Sequence, residues 1–318
     1  HVRNIDIENS DAADDELIIN NKAIQRLSIE TNADNNKPFK LINVANSSLH
    51  KLYVVETSME QRTLKKVILN ENIDTLTIGG YISRGDVPQQ SVELVGLSRL
   101  NRLKRLSYNP DFSPIATKDL PKNIEGLYIG GSGNVPYNDG DSFDYSHLSK
   151  LKIYSNGKFI SANMKLSTAI DSIYLFPSQV FGDLKALDFS GLKFTKADIY
   201  IGSLTRNDVE LPMLKRFVFP ATLRQLKLSY AQSEVVDLSR CTHLKSLYVF
   251  ESGAGERAIK KLILPKNLKK SDFKRQHKSE FENDYAFKLS DINNETVIEN
   301  LPSWVENDGN GTYSVPND

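Results

Sequence analysis

The segment Leu49-His50-Lys51-Leu52-Tyr53-Val54 determines the predicted fold, because apolar residues occupy its first, fourth and sixth positions. Alternate side chains of a β-strand face opposite ways, so we expect Leu52 and Val54 to point inward and Tyr53 to point outward. Leu49 comes just before the strand and is expected to turn inward at a corner. The segment therefore predicts a short strand with one buried face.

The same spacing of apolar residues recurs from one end of the chain to the other. The first apolar residues of the further copies are Val2, Ile24, Leu64, Ile73, Leu103, Ile124, Leu148, Ile170, Leu184, Leu214, Leu223, Leu244 and Ile259. A single strand of this length cannot bury its apolar side, so the copies must stack until a continuous core forms. Pro220 and Pro265 follow two copies directly and predict bends, because proline cannot donate a hydrogen bond to a sheet.

Three of the apolar positions keep their spacing over a long distance. Each reappears 195 residues later, which pairs Leu49 with Leu244, Leu64 with Ile259, and Ile73 with Leu268. We therefore predict a repeat solenoid, a leucine-rich-repeat array with a parallel sheet of short strands and few or short helices. Turns, short second strands or irregular segments are expected to close its other side.

The copies fade from about Ser290, and the polar stretch 300–318 contains two prolines and the turn-forming steps Asp308-Gly309 and Asn310-Gly311. We therefore predict the solenoid over residues 1–290 and a C-terminal cap or tail over residues 291–318. Trp304, in that tail, is expected to be a packing anchor. The glycine-rich stretch 130–133 and the segment 134–144 are predicted to form a loop and an insertion.

Three stretches resemble the repeat of the BspA-type leucine-rich-repeat family of bacterial surface proteins, whose unit is similar to Cys-x-x-Leu-x-x-Ile-x-Ile-Pro-x-x-Val-x-x-Ile. Residues 241–249, from Cys241 to Val249, match its first half. Residues 259–268, with Pro265, match the strand, the proline and the following apolar position, and residues 214–226 repeat that match. The resemblance implies an exported, non-catalytic protein, secreted or at the bacterial cell surface, which binds other proteins as adhesins do.

Composition narrows the possible functions. The chain has 40 basic residues (Lys and Arg) and 40 acidic residues (Asp and Glu), so its net charge is zero. Without a positive net charge to attract it, nucleic acid is not expected as a partner. No run approaches the roughly 20 apolar residues of a membrane-spanning helix. The chain begins at His1 without Met or a signal peptide, which we interpret as processing or trimming.

Five tyrosines form the predicted binding site, because each is assigned to the outward middle position of a strand: Tyr53, Tyr128, Tyr174, Tyr200 and Tyr248. Tyrosine provides a large rigid contact area with a polar tip and is enriched at binding hot spots. Tyrosine also simply suits exposed strand positions, and both interpretations stay open. The leading hypothesis is recognition of a protein partner, and the alternatives are a glycan-binding module or a structural spacer that projects another domain.

Two charged segments are weaker candidates for further sites. The basic residues Arg257, Lys260, Lys261, Lys266, Lys269, Lys270, Lys274, Arg275 and Lys278 could contact a polyanion, but a solvated terminal repeat is the preferred interpretation. The segment 138–144 is rich in oxygen ligands for calcium, but its glycine comes too early and Lys150 stands near the place of the required glutamate. An acidic turn is the simpler interpretation.

The sequence supplies no catalytic constellation. Cys241 shares the inward spacing of Leu244 and Leu247, whereas His243 occupies a variable, outward position, so the two are badly placed for proton transfer. We expect Cys241 to be a buried structural thiol. The remaining histidines lack the spacing of metal ligands, and no phosphate-binding glycine loop is present. The chain is therefore predicted to have no enzymatic activity, metal site or cofactor.

Overall fold

The computed structural model describes residues 3–8, 15–32, 39–58, 62–82, 91–130, 143–201, 213–251, 258–273 and 286–315. The chain divides into two compact units, His1–Lys158 and Phe159–Asp318. Helix in the described ranges is limited to short 3₁₀ turns at Leu97–Arg99, Thr117–Asp119 and Lys270–Asp272. The fold is thus rich in strands and has almost no helix.

The strands of the first unit belong to a larger sheet and a smaller sheet, and successive strands from residue 4 to residue 108 alternate between the two. The larger sheet runs in the order β1 (Asn4–Glu8), β3 (Arg26–Asn32), β5 (Lys51–Ser58), β7 (Thr75–Ile82), β9 (Arg105–Tyr108), β10 (Gly126–Ile129) and β11 (Ile153–Asn156). The smaller sheet runs β2 (Glu16–Ile18), β4 (Leu41–Asn43), β6 (Lys66–Ile68) and β8 (Glu93–Val95). All of these pairs are parallel.

The second unit has the same alternation. Its larger sheet runs β13 (Ser172–Leu175), β16 (Lys196–Tyr200), β18 (Gln225–Ser229), β20 (Ser246–Phe250), β22 (Phe287–Ser290), β25 (Tyr313–Ser314) and β24 (Glu306–Asn307). Its smaller sheet runs β15 (Ala186–Asp188), β17 (Arg216–Val218), β19 (Val235–Asp237), β21 (Lys261–Ile263) and β23 (Val297–Glu299), and β12 (Phe159–Ser161) pairs with β14 (Gln179–Phe181). Pairing is parallel except at β22–β25 and β24–β25. Parallel pairing therefore extends to Glu299.

The predicted directions of the side chains are confirmed. Leu27, Leu52 and Leu76 are register partners on three neighbouring strands, and all three are buried. Tyr53, between the buried Leu52 and Val54, is partly exposed. Stacked leucines of this kind fill the interior because each strand buries the apolar row of the next.

The motif copies divide between the two kinds of sheet. Val67, Phe217 and Leu262, the central apolar residues of three copies, lie on the smaller-sheet strands β6, β17 and β21, and all are buried. Pro220 and Pro265 each follow a strand of the smaller sheet. Strands of both the larger and the smaller sheet can therefore carry the motif, because the same spacing of inward residues suits either kind of strand.

Aspartate and asparagine side chains turn the chain after the smaller-sheet strands. The Oδ1 atoms of Asn43, Asp188 and Asp237 accept hydrogen bonds from the backbone N–H two residues on, at 2.9 to 3.1 Å. In this local turn the side chain replaces a backbone acceptor. The turn sends the chain back toward the larger sheet.

The C-terminal residues pack on the last parallel strands. Trp304 Nε1 donates to the carbonyl oxygen of Leu268 at 3.1 Å, and the indole contacts the rings of Phe273 and Phe287. Trp304 is a packing residue, as predicted. Gly311 has φ 82°, and a Cβ there would lie 2.6 Å from the carbonyl oxygen of Ile292, so this close approach requires glycine.

Across the ranges that the structure describes, no helix combines the length and apolar character needed to cross a membrane.

Candidate functional site

Four of the five predicted tyrosines occupy the outward middle position. In the first unit, Tyr53 on β5 and Tyr128 on β10 share a register row in which Thr77 and Ser107 stand between them. Three strand spacings of about 4.8 Å separate their backbones by roughly 14 Å. The two tyrosines are therefore isolated from each other by small hydroxyl side chains.

In the second unit the corresponding row is charged as well as aromatic. Register places Asp198, Lys227 and Tyr248 in one row with Tyr174. Tyr174 and Tyr248 are both partly exposed, with Asp198 and Lys227 on the two strands between them. Two of the predicted tyrosines therefore lie in one outward row, but charged residues separate them.

The position of Tyr200 differs from the prediction. Register gives the middle position of β16 to Asp198 and pairs Tyr200 with Ser229, which in turn pairs with Phe250. Tyr200 still faces outward, because two residues along a strand return to the same face. The prediction placed Tyr200 in the middle row because it lies between Ile199 and Ile201, which fit the alternation of inward residues. Register shows that this middle row is two residues earlier on the strand, at Asp198.

This shift brings Tyr200 into a cluster of four aromatic rings, which we call the ring cluster: Tyr200, Tyr230, Tyr248 and Phe250. The centroids of Tyr200 and Tyr230 are 4.8 Å apart, and those of Tyr230 and Phe250 are 5.1 Å apart. Tyr248 and Phe250 have centroids 6.3 Å apart and nearly parallel planes, 7° from each other. All four side chains are partly exposed, so the cluster is an aromatic surface facing solvent.

Tyr230 completes the cluster through an unusual backbone. Its φ is 55°, a left-handed value that a residue with a bulky side chain rarely adopts, and its N–H donates to the carbonyl oxygen of Phe250 at 2.8 Å. Ser229 pairs with both Tyr200 and Phe250 and is 6% exposed. Its small side chain allows the Tyr230 ring to lie between the two aromatic neighbours.

Sequence reasoning missed Tyr230 and Phe250. Phe250 could have been found, because it lies two residues beyond Tyr248 and alternation puts both on one face. Tyr230 carries no such signal, since its ring reaches the cluster only through the left-handed turn. Burial, followed by the neighbouring Tyr230, raises the pKa of Tyr200, so its hydroxyl stays protonated at neutral pH.

Lysines lie on both sides of Tyr248 in the ring cluster, and another lies near Tyr174. Lys227 and Lys288 are the register neighbours of Tyr248 on its two sides. Lys196 Nζ lies 5.7 Å from the ring centroid of Tyr174. The one carboxylate at an outward position of β13, β16, β18, β20 and β22 is Asp198, and its Oδ2 lies 3.6 Å from Lys227 Nζ.

The buried charges of the first unit form a different type of site. Lys158 Nζ lies 2.7 Å from Asp111 Oδ2, and the two side chains are 0% and 9% exposed. Arg62 donates to the backbone oxygen of Asp111 at 3.0 Å and lies 4.4 Å from the Phe112 ring centroid. This ion pair and the Arg62 contacts lie in the interior and leave little surface for a ligand.

The predicted structural role of Cys241 is confirmed. Its side chain is 0% exposed, and Sγ lies 3.4 Å from the carbonyl oxygen of Pro220. Burial, together with nearby Asp237, raises the pKa of the thiol to about 12, which keeps it protonated. His243 is exposed, so the two side chains are divided between core and surface as expected.

The charged segments considered in the sequence lie partly outside the described residues. Arg257, Lys274, Arg275 and Lys278 of the basic group are not described, and of the others Lys261 Nζ pairs with Glu299 Oε1 at 2.6 Å. Residues 138–142 of the candidate calcium segment lie outside the described ranges. Asp144 Oδ1 accepts a hydrogen bond from the backbone N–H of Ser146 at 3.0 Å, as in a local turn.

Described residues of the first unit line at least two cavities. One of about 440 Å³ is lined by residues such as Glu93, Leu97, Ser113 and Asp119. The other, about 370 Å³, is lined almost wholly by polar and charged side chains, among them His50 and Asp74. Among the described residues, no group of three or more histidine, cysteine, aspartate or glutamate side chains could hold a metal ion.

The ring cluster with its lysines is the strongest candidate site, since it joins exposed aromatic area, charge and a strained backbone position. Comparison with family models, curated proteins and solved structures gives no match to this chain.

Proposed function

We propose that this chain is a leucine-rich-repeat solenoid of the BspA type that binds a protein partner through the outward face of its larger-sheet strands. In this proposal the protein has no catalytic activity and acts in the secreted state or at a bacterial cell surface. The repeated parallel strands with inward leucines and outward polar and aromatic residues support the fold assignment. The compartment rests on the resemblance of residues 241–249 and 259–268 to the family repeat.

The observation that carries the binding function is the ring cluster. Tyr200, Tyr230 and Tyr248 each combine an apolar ring with a hydroxyl tip and lose little conformational freedom on binding. Neighbouring rings at 4.8 and 5.1 Å hold one another in place. Such a preordered aromatic patch suits the centre of a protein interface, where a few residues dominate the binding energy.

Two double variants test this proposal with a matched control. The full chain is screened on an array of surface and extracellular proteins, together with Tyr200→Ala/Tyr248→Ala and Tyr53→Ala/Tyr128→Ala. Each variant removes two outward tyrosines, but only the first removes ring-cluster members. We expect the first to weaken partner binding by roughly 30-fold or more, as for loss of a hot spot, and the second to bind like the wild type.

Equal loss in both variants, or retention in both, would contradict the assignment to the ring cluster. Unfolding curves of the two variants must remain close to that of the wild type, so that lost binding reflects the surface. A wild-type chain that binds no protein on the array would contradict the proposed function itself.

A glycan-binding module is the second candidate. The nearly parallel rings of Tyr248 and Phe250 favour it, because a flat aromatic pair can pack against the apolar face of a sugar ring. A glycan array screened with the same variants separates the two candidates. Glycan signals that vanish in Tyr200→Ala/Tyr248→Ala, without any protein signal, would replace the leading proposal by this one.

A further inference from the structure

The outward faces of the two units carry different charge. In the described part of the second unit, the outward positions of its larger sheet hold three lysines and two carboxylates: Lys196, Lys227, Lys288, Asp198 and, on the antiparallel strand β24, Glu306. In the first unit, the outward charges described on its larger sheet balance, with Arg26, Lys51 and Arg105 against Asp6, Glu8 and Glu30. The ring cluster therefore lies on the face with a positive excess.

Charge and aromatic surface in the second unit form two adjacent rows. Lys227, Tyr248 and Lys288 are register neighbours on three adjacent strands of the sheet. The backbones of the two lysines are therefore about 10 Å apart, with Tyr248 between them. The next outward row contains Tyr200, Ser229, Phe250 and Ser290. The distance between the Tyr248 and Phe250 ring centroids, 6.3 Å, is close to the spacing of same-side residues along an extended chain, about 6.8 Å.

The matching spacing constrains the ligand. An extended peptide has same-side residues two positions apart, so a carboxylate near a lysine row can be followed by an apolar side chain at the ring row. Carboxylates would interact with Lys227 and Lys288, while an aromatic or apolar residue would cover the rings. A purely ionic polymer would use the first row only, and an uncharged apolar segment would use the second only.

We infer that the ring cluster and its flanking lysines bind an extended acidic peptide segment of the partner protein, one in which carboxylates alternate with aromatic or apolar residues. This inference rests on the proposed function and adds the chemical class of the bound segment. Charge complementarity would also speed association, and the binding should weaken as salt screens the lysines.

The test uses a fluorescein-labelled random copolymer of glutamate and tyrosine, with polyglutamate, a lysine–tyrosine copolymer and heparin as comparison probes. Binding to the full chain is followed by fluorescence anisotropy at 50 and 500 mM NaCl. Two charge variants are compared, Lys227→Gln/Lys288→Gln in the second unit and Arg26→Gln/Lys51→Gln in the first. Each removes two outward cations from one register row, so they are matched in net charge.

We expect the glutamate–tyrosine copolymer to bind most tightly, and Lys227→Gln/Lys288→Gln to weaken it about tenfold while the control variant changes it less than twofold. Polyglutamate should bind more weakly, and the lysine–tyrosine copolymer should not bind. Equal effects of the two charge variants, or tighter binding of heparin than of the copolymer, would overturn the inference. If the copolymer fails while Tyr200→Ala/Tyr248→Ala still abolishes binding of an array protein, the acidic-segment inference is wrong and the proposed function stands.

Discussion

Glu56 and Glu251 hold the same position in two copies of one repeat, 195 residues apart, and perform the same task. The carboxylate of Glu56 accepts hydrogen bonds from the backbone N–H groups of Thr63 and Leu64 at 2.5 and 3.0 Å. That of Glu251 accepts one from the N–H of Ile259 at 2.6 Å. Leu64 and Ile259 each begin the following smaller-sheet motif, so the glutamate ties one strand to the start of the next.

These glutamates are expected to make stability depend on pH. Burial is the largest influence on both carboxyls and raises their pKa above the ordinary value of 4.5, although the backbone N–H donors oppose it. When the folded pKa exceeds the unfolded one, the stabilising contribution is complete below the unfolded pKa and is lost as pH rises through the folded pKa. We expect Glu56→Gln and Glu251→Gln to lose part of this decline in unfolding free energy, measured by urea denaturation between pH 4 and 8. Profiles parallel to that of the wild type would contradict the assignment.

The alternation of inward and outward residues predicts opposite costs for neighbours on one strand. Leu52 is buried and Tyr53 is partly exposed. We expect Leu52→Ala to lower the unfolding free energy by about 2–5 kcal/mol, because it removes packed methyl groups and leaves a cavity. Tyr53→Ala should cost about 1 kcal/mol or less. Denaturant unfolding of both variants checks this, and similar costs would mean that the strand does not have one buried face.

The strands could be predicted from the sequence because the spacing of their apolar residues shows which side chains face inward. Leu49, Leu52 and Val54 can be assigned from alternation alone, and all three are buried. The same spacing cannot tell a larger-sheet strand from a smaller-sheet strand, since Val67 and Leu52 obey one pattern on different sheets. Pairing between strands that are distant in sequence makes that distinction.

The candidate site was harder to predict than the fold. Tyr248 was identified from its strand position, but Tyr200 was assigned to the wrong row because alternation does not fix register between strands. Tyr230 joins the cluster through a left-handed residue, for which only glycine or asparagine would have given a sequence signal. Contacts between strands that are distant in sequence decide which tyrosines meet.

The buried ion pair between Asp111 and Lys158 should be costly to break and cheaper to remove. Asp111→Asn removes the carboxylate that lies 2.7 Å from the fully buried Lys158 ammonium, so we expect a loss of about 3–5 kcal/mol in unfolding free energy. Asp111→Asn/Lys158→Met removes both charges and should recover part of that loss. Guanidinium denaturation measures the two variants. A double variant that is no more stable than the single one would contradict this expected cost of removing only one of the two charges.

Tyr230 is expected to matter more for binding than for folding. Its left-handed backbone costs about 1 kcal/mol or more, which asparagine at the same position would relieve, while loss of the ring contacts costs a similar amount. Tyr230→Asn should therefore change the unfolding free energy by about 1 kcal/mol or less and still weaken partner binding. Thermal unfolding together with the array measurement tests this. A loss of several kcal/mol would instead make Tyr230 a residue of the core.

Cys241 should be unreactive in the folded chain. Its thiol is fully buried, its pKa is raised to about 12, and thiolate is the species that reacts with disulfide reagents. We expect dithionitrobenzoate to label Cys241 at pH 8 only as fast as the chain opens, and quickly in urea. His243→Ala should leave that rate unchanged. Rapid labelling of the native chain would show that the thiol is accessible.

Hydroxyl-radical footprinting of the complex with a partner from the array tests the central claim most directly, because it reports the exposure of individual side chains. The account predicts that bound partner protects Tyr200, Tyr230, Tyr248 and Phe250 from oxidation while Tyr53 and Tyr128 remain as reactive as in the free chain. Protection of Tyr53 and Tyr128 instead, with the ring cluster unchanged, would contradict it.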